Sequence, residues 1–352
     1  MFKSGQLLRN TMIPPAGHIL RRPVCTGKRR KVQRPLSADD AREYPARMKL
    51  PDLAQLFVDK LRIQRDPDRL DQADREVMDA FCGPVFEAAR AWYDLTIDGV
   101  EQVPTGAALV VGNHDSGMSY FEAIGWGAAM HIARPDELWF GLAHDGIIDM
   151  PGVGNALISV GAIRARPDLA AQALAEGHKV VVFPGGNAEA FRRFTDRYHV
   201  DLAGRTGWAK TAIRAGVPVV PVVFCGGHAG FVVLSEGRRL AKITGLKKAL
   251  RVDTWPLWVG LPWGVFWGPF FHLPLPIPVR VKMLPPVPTA HLGAAAADDP
   301  HTVQVFAAQV VAQMQAAMDQ MAAEHTTPWT VRTEAAKSRV ARLARRVRAF
   351  SG

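Results

Sequence analysis

The feature that most constrains this chain is a set of short valine-rich runs that stop at glycine or proline just before reactive side chains. Residues 107–111 (AALVV) are apolar and brief, and Gly112, Asn113 and His114 follow at once. Residues 179–183 (KVVVF) end at Pro184-Gly185-Gly186, and residues 217–224 are rich in valine and punctuated by prolines. Short β-branched runs bounded by such breakers read as buried strands. Helix-like segments lie between them: residues 118–130, without a proline; residues 167–176, ending at Gly177; and residues 206–215, closed by Gly216. Further strands are expected at 92–103, turning at Asp98-Gly99, at 138–142 and at 158–163. Alternating strand, loop and helix predict an α/β fold, with a mixed, partly parallel central sheet flanked by helices.

The flanks differ from this body. Residues 1–36 read as a basic disordered arm, since residues 1–34 hold nine Lys or Arg and no acid. They lack a sustained apolar run and a small-residue cleavage site, which argues against a signal peptide. Residues 37–91 form a helical N-terminal segment, with Leu53, Leu56, Phe57 and Leu61 at helical spacing, and residues 92–290 make the α/β domain. Residues 291–352 are C-terminal amphipathic helices. In the first, Val303, Phe306, Val310, Met314 and Met318 form one stripe, read as packing. In the second, Val340, Leu343, Val347 and Phe350 share a face, and five arginines fill much of the rest.

The net charge of +10 belongs to the two ends. Residues 331–352 carry seven basic side chains against Glu334, and the body between the tails keeps 27 basic and 32 acidic side chains. Basic ends address polyanions. A basic amphipathic helix suits an anionic membrane surface, with RNA contact the weaker alternative, and no nucleic-acid partner is expected. Cys25, Cys82 and Cys225 are far apart without C-x-x-C spacing, so neither a disulfide framework nor a zinc site is indicated and a reducing compartment fits.

Residues 254–279 contain no Asp, Glu, Lys or Arg, and carry Trp255, Trp258, Trp263 and Trp267 among six prolines. The prolines argue against a membrane-spanning helix. Tryptophan favours the headgroup level, so a segment lying in the membrane interface is expected, with a buried proline-rich substructure as the alternative.

No G-x-S-x-G elbow, Walker loop or dinucleotide fingerprint is present. His114 lies between a strand and a helix, where it serves either as a cap or as a catalytic base. Three blocks stand in order: GNHDSGMSYFE (112–122), VGAIRARPDLAAQALAEGHKVVVFPGGNAEAF (160–191) and GRTGWAKTAIRAGVPVVPVV (204–223). Together they resemble the glycerolipid acyltransferase family, the lysophosphatidic-acid and glycerol-3-phosphate acyltransferases. The resemblance rests on Asn113-His114, Gly161 with Arg164, Phe183-Pro184-Gly185-Gly186 with Glu189, and Val217-Pro218-Val219-Val220-Pro221. It is strongest to a bacterial subgroup reading G-N-H-S-G-G-M, P-G-G-x-x-E and V-G-G-H.

The resemblance implies an acyltransferase-like domain that moves an acyl chain from acyl-CoA or acyl carrier protein to a hydroxyl of a glycerol-phosphate, lysophospholipid or related lipid acceptor. No metal or bound cofactor is expected; the acyl donor is a co-substrate. A hydroxyl is a poor nucleophile, so a neutral His must take its proton, and a carboxylate would orient that His. The family's H-x4-D spacing falls here on Ser119. Glu122, one turn along the expected helix from 119, is the preferred partner, with Asp115 the alternative. Asn113, Arg164, Phe183, Pro184, Gly185, Gly186, Glu189 and Arg205 are the substrate-binding candidates; the arginines and the glycine turn suit phosphate. His144 and His228 are expected to be structural. The implied location is the cytoplasmic face of a membrane, as a peripheral or monotopic protein. The rival reading is a non-catalytic lipid-binding or scaffolding protein whose dyad has decayed.

Overall fold

The computed structural model describes residues 55–324, apart from 57, 61, 118, 244–253, 261, 262, 271 and 274. The expected basic arm, most of the 53–61 helical spacing and the second C-terminal helix lie outside the described residues.

Helix α1, Arg75–Tyr93, starts where the Asp74 side chain accepts the Val77 N–H, and stops at Asp94 in the left-handed conformation. Trp92 and Tyr93 therefore end a helix rather than open a strand, and β1 is only Thr96–Asp98. Next come β2 (Ala108–Gly112), α2 (Phe121–Ala133) and β3 (Trp139–Ala143). The strand expected at 158–163 is mostly helix: α3 covers Val153–Ser159, Gly161 turns the chain at φ +96°, and β4 is Ala162–Arg164. A short apolar run cannot tell buried helix from strand by periodicity alone. Then follow α4 (Pro167–Ala175), β5 (Lys179–Val182), the short α5 (Gly186–Ala190), α6 (Gly207–Ala215) and β6 (Val219–Cys225).

The rest of the charge-free stretch is neither a long helix nor a single buried plug. Strands β7 (Val232–Ser235), β8 (Leu257–Gly260) and β9 (Gly264–Trp267) form a small antiparallel sheet, with α7 (Arg238–Ile243) between the first two. No helix among the described residues is long and apolar enough to cross a membrane. Strand β10 (Arg280–Met283) returns to the main sheet, and α8 (Pro300–Glu324) closes the described chain.

The main sheet has the order β1-β10-β6-β2-β5-β3-β4. Strands β6, β2, β5, β3 and β4 are mutually parallel, and β10 runs antiparallel to β6. Alternate side chains serve two cores. Leu109 and Val111 of β2 join α4, α6 and the apolar stripe of α8, where Val303, Phe306, Val310, Met314 and Met318 are all buried. Ala108 and Val110 join α1 and α2 on the other face. Covering both faces is what a parallel sheet requires.

Chain order then locates a cleft. From β2 the chain leaves toward β3 on one side, whereas from β5 it leaves toward β6 on the other, and β2 and β5 are neighbours. The two connections carry α2 and α6 to opposite faces of the sheet, and where neighbouring connections do so the loops at the carboxyl ends of the strands leave a crevice. Those two loops are the ones that hold His114 and Pro184-Gly185-Gly186.

Candidate active site

Gly112 ends β2 against an aromatic wall: a side chain there would place its Cβ 2.6 Å from Phe183 Cε1. That same Phe183 ring stacks on the His114 imidazole at 5.2 Å and 29°, and Tyr120 meets the imidazole edge-on at 5.3 Å. His114 does not cap α2, whose flanking residue is Tyr120. The imidazole is 8% exposed, and burial pushes its pKa down to about 3, helped by the nearby positive charges of Arg192 and Arg205, while a hydrogen bond to the Phe183 backbone acts in the opposite direction. It is therefore neutral at physiological pH.

The backbone around His114 is held by buried polar groups. Glu189 Oε2 accepts the His114 N–H at 2.9 Å, and its Oε1 accepts the Asp201 N–H at 3.2 Å. Arg192 donates Nη1 to the His114 carbonyl at 2.6 Å and to the Glu189 carbonyl at 3.0 Å, and Nη2 to Asp115 at 3.3 Å. Asp115 also accepts the Gly227 N–H at 2.5 Å. Asn113 pairs with both backbone groups of Phe224 at 2.9 Å, as a strand neighbour would. Asn113 and Glu189, expected to touch substrate, thus serve the frame of the loop; both are fully buried.

Neither proposed carboxylate partner meets the imidazole. Glu122 accepts a short hydrogen bond from the Ser116 hydroxyl, and Ser116 and Ser119 share a hydrogen bond at 2.8 Å. The physical reason is the late start of the helix. Because α2 begins at Phe121, residue 119 is not on its face and Glu122 lies in the first turn, directed at Ser116. Asp115, the alternative, forms the ion pair with Arg192 instead. Burial pushes Glu122 up to about 7, Asp115 up to about 6 and Glu189 up to about 8, with Ser116, Arg192 and Arg192, respectively, giving the leading opposition.

The two arginines chosen from the sequence separate. Arg205 donates to the Pro184 carbonyl at 2.8 Å and lies against Gly186, where an added Cβ would be 2.5 Å from its Nη1. Gly186 has φ +56°, so glycine suits the turn for two reasons. Arg164, on edge strand β4, stands three strand spacings from β2, about 14 Å. Its guanidinium is enclosed by Asp68, Asp145 and Asp149 at 2.9–3.1 Å, so the expected phosphate ligand is a structural ion-pair centre. His144 accepts the Gly146 N–H and caps a helical turn, and His228 is buried with Nε2 2.6 Å from the Arg192 carbonyl. Arg192 is the residue that sequence reasoning missed; its only signal was a charge three residues beyond Glu189. No group of metal-ligating side chains occurs among the described residues.

Residues 94–225 match the family model described as Acyltransferase. This segment is an acyltransferase-family domain. It runs from the end of α1 through β6 and includes His114, the 183–186 turn and Arg192. The chain is 32% identical over 213 residues to an uncharacterised protein of Mycobacterium tuberculosis, which covers 60% of this chain and 57% of that protein. A mouse protein named DGAT1/2-independent enzyme synthesizing storage lipids is 28% identical over 180 residues, 49% of this chain and 51% of its own. The chain thus spans little more than half the length of the curated relatives it matches. A solved lysophosphatidic-acid acyltransferase, PlsC from Thermotoga maritima, aligns over 78% of this chain and 90% of its own at 16% identity and a TM-score of 0.45. The family-model match at residues 94–225 includes the loops after β2 and β5, whereas the small sheet lies beyond residue 225.

Proposed function

We propose that the acyltransferase domain transfers a fatty acyl chain from a thioester donor, acyl-CoA or acyl carrier protein, to a hydroxyl of a lipid acceptor, with His114 as general base. The observation that carries this reading is a neutral imidazole at the carboxyl end of the central parallel strand, beside a glycine turn to which Arg205 is hydrogen-bonded. In the reaction the acceptor oxygen attacks the thioester carbonyl carbon as the imidazole takes its proton. The tetrahedral intermediate then collapses, the C–S bond breaks, and the departing thiolate takes the proton from the imidazolium.

A base held this low needs help at the moment of reaction. Arg205 is one of the charges that depress it. A substrate phosphate seated on Arg205 would offset that charge and raise the basicity of His114 as the complex forms, through the ordinary effect of a nearby opposite charge. Either the acceptor's phosphate or the donor's pyrophosphate could act in this way. The protein would work at a membrane surface on its cytoplasmic face, where donor and lipid acceptor meet.

The test is acyl transfer by the purified full chain from labelled acyl-CoA to glycerol-3-phosphate, lysophosphatidic acid and diacylglycerol. Diacylglycerol belongs in the panel because the mouse relative is named for synthesizing storage lipids. His114→Ala should lower transfer by about 10²–10⁴-fold with the fold intact; equal transfer by both proteins would refute the base. That Glu122 bonds Ser116 and Asp115 pairs with Arg192 favours a second reading, a lipid-binding scaffold with a decayed site. No turnover by the native protein with any donor, while vesicle binding persists, would establish that reading instead.

A further inference from the structure

The small sheet is apolar on both faces. Directly opposed residues of antiparallel strands share a face, and the register pairs Trp258 with Phe266, Val259 with Val265 and Leu257 with Trp267. The inner face is packed: Trp258 is fully buried, 5.5 Å from the Phe266 ring and 6.3 Å from Phe231. The opposite face carries Val265 at 67% exposure and Trp267 at 58%, while Trp263 and Phe270, near half exposure, pack at the rim against Phe266 of the inner face at 6.1 and 5.3 Å. A solvated outer face of an antiparallel sheet is ordinarily polar. An exposed apolar sheet face that carries a tryptophan, with two more half-exposed aromatic rings at its rim, marks an interaction site.

Two further observations indicate what covers it. The patch lies within 26 consecutive residues without a charge, yet the helix that precedes it is basic: Arg238, Arg239 and Lys242 are exposed on α7 next to Ile243 at 81% exposure. Arg238 pairs with Glu236 and reaches Asp201 at 3.8 Å, whereas Arg239 and Lys242 form no ion pair among the described residues. The turn into α7 abuts the start of β8, because the Trp255 N–H bonds the Glu236 carbonyl at 3.0 Å. Cations beside an uncharged aromatic face match an anionic lipid surface, where tryptophan lies at headgroup level and cations meet the lipid charge. A protein partner would demand no such pairing. The packed face, in turn, backs onto the His114 loop: an added Cβ on Gly117 would lie 2.8 Å from Phe231 and 2.5 Å from His272.

We infer that the outer face of β8–β9, together with Arg239 and Lys242, docks on an anionic bilayer surface and so sets the His114 crevice beside its lipid acceptor. The placement beside an acceptor rests on the reaction proposed above; the docking itself does not. The test is co-sedimentation of the full-length protein with phosphatidylcholine vesicles, with and without phosphatidylglycerol. Val265→Asp/Trp267→Asp should weaken binding to both vesicles by at least about tenfold, with unchanged circular dichroism and melting. Val265→Ser/Trp267→Ser, a milder change, should do so less, which guards against misfolding by the buried-face neighbours. Arg239→Gln/Lys242→Gln should weaken binding to the anionic vesicles alone, by about 30-fold. Native-like vesicle binding by the folded aspartate variant would overturn the inference. Conversion of a native dimer to a monomer by that variant, with vesicle binding unchanged, would assign the face to a second copy instead. His114→Ala should bind vesicles like the native chain, so loss of transfer and loss of docking are read separately.

Discussion

The His114 loop and the small sheet depart from the usual inside-outside distribution of side chains in opposite senses. Around His114 the polar groups are inside: Asn113, Asp115, Ser116, Glu122, Glu189 and Arg192 are each at most 3% exposed. On β8–β9 the apolar groups are outside. The difference separates stability from function. A buried polar group must keep its partner or lose the full cost of its desolvation, so the loop is fixed by mutual necessity. An exposed apolar side chain stabilises the fold little, so the outer face of the small sheet is there for something other than folding.

The largest expected effect tests the first half of that contrast. Arg192→Met leaves Asp115 and the His114 carbonyl without their donor and should cost about 3–5 kcal/mol in urea unfolding. A loss below about 1 kcal/mol would mean that the loop closes around a neutral Asp115. Next comes Glu122→Gln. Burial raises this carboxyl from its ordinary 4.5 to about 7, so the fold holds the proton more tightly than the unfolded chain does. Its favourable contribution is complete below about pH 4.5 and disappears as pH rises through about 7. Glutamine, neutral throughout, should therefore stabilise the protein above pH 7 by up to about 3 kcal/mol and flatten that part of the profile. An unchanged slope between pH 5 and pH 8 would assign the dependence to Asp115 and Glu189. The same variant should retain acyl transfer, since Glu122 bonds Ser116 and not the imidazole.

Gly112→Ala should cost about 1–3 kcal/mol, because its Cβ meets the Phe183 ring and that ring is held between Gly112 and His114. A crystal structure of that variant with Phe183 unmoved would contradict the packing argument. The smallest effect belongs to the other region. Val265→Thr should change stability by no more than about 0.5 kcal/mol while weakening vesicle binding; a loss above 1 kcal/mol would mean that the face is packed after all.

Much of the fold was legible because strands and helices announce themselves locally. The runs at 107–111, 179–183 and 217–224 became β2, β5 and β6, and the methionine stripe of 303–323 became a buried helix face. The failures share one cause. The 153–164 region is helix, turn and strand because Gly161 takes φ +96° and the helix packs beside β4, which a short apolar run does not reveal. Glu122 misses His114 because α2 starts three residues after Met118, at Phe121. Arg164 matches a family pattern but stands at the sheet edge among three aspartates.

By itself the sequence determined most of the element types, the loop that carries His114, and the uncharged aromatic stretch that supplies β8 and β9 of the small sheet. Each depends on neighbours within a few residues, which periodicity and turn chemistry record. Only the tertiary structure decided which groups those residues meet. Arg192 reaches Asp115 across 77 residues, and Asn113 reaches Phe224 across 111. Such partnerships follow from strand order, which brings β5 and β6 to either side of β2. A hydrogen bond depends on ångströms in space, and separation along the chain does not encode them.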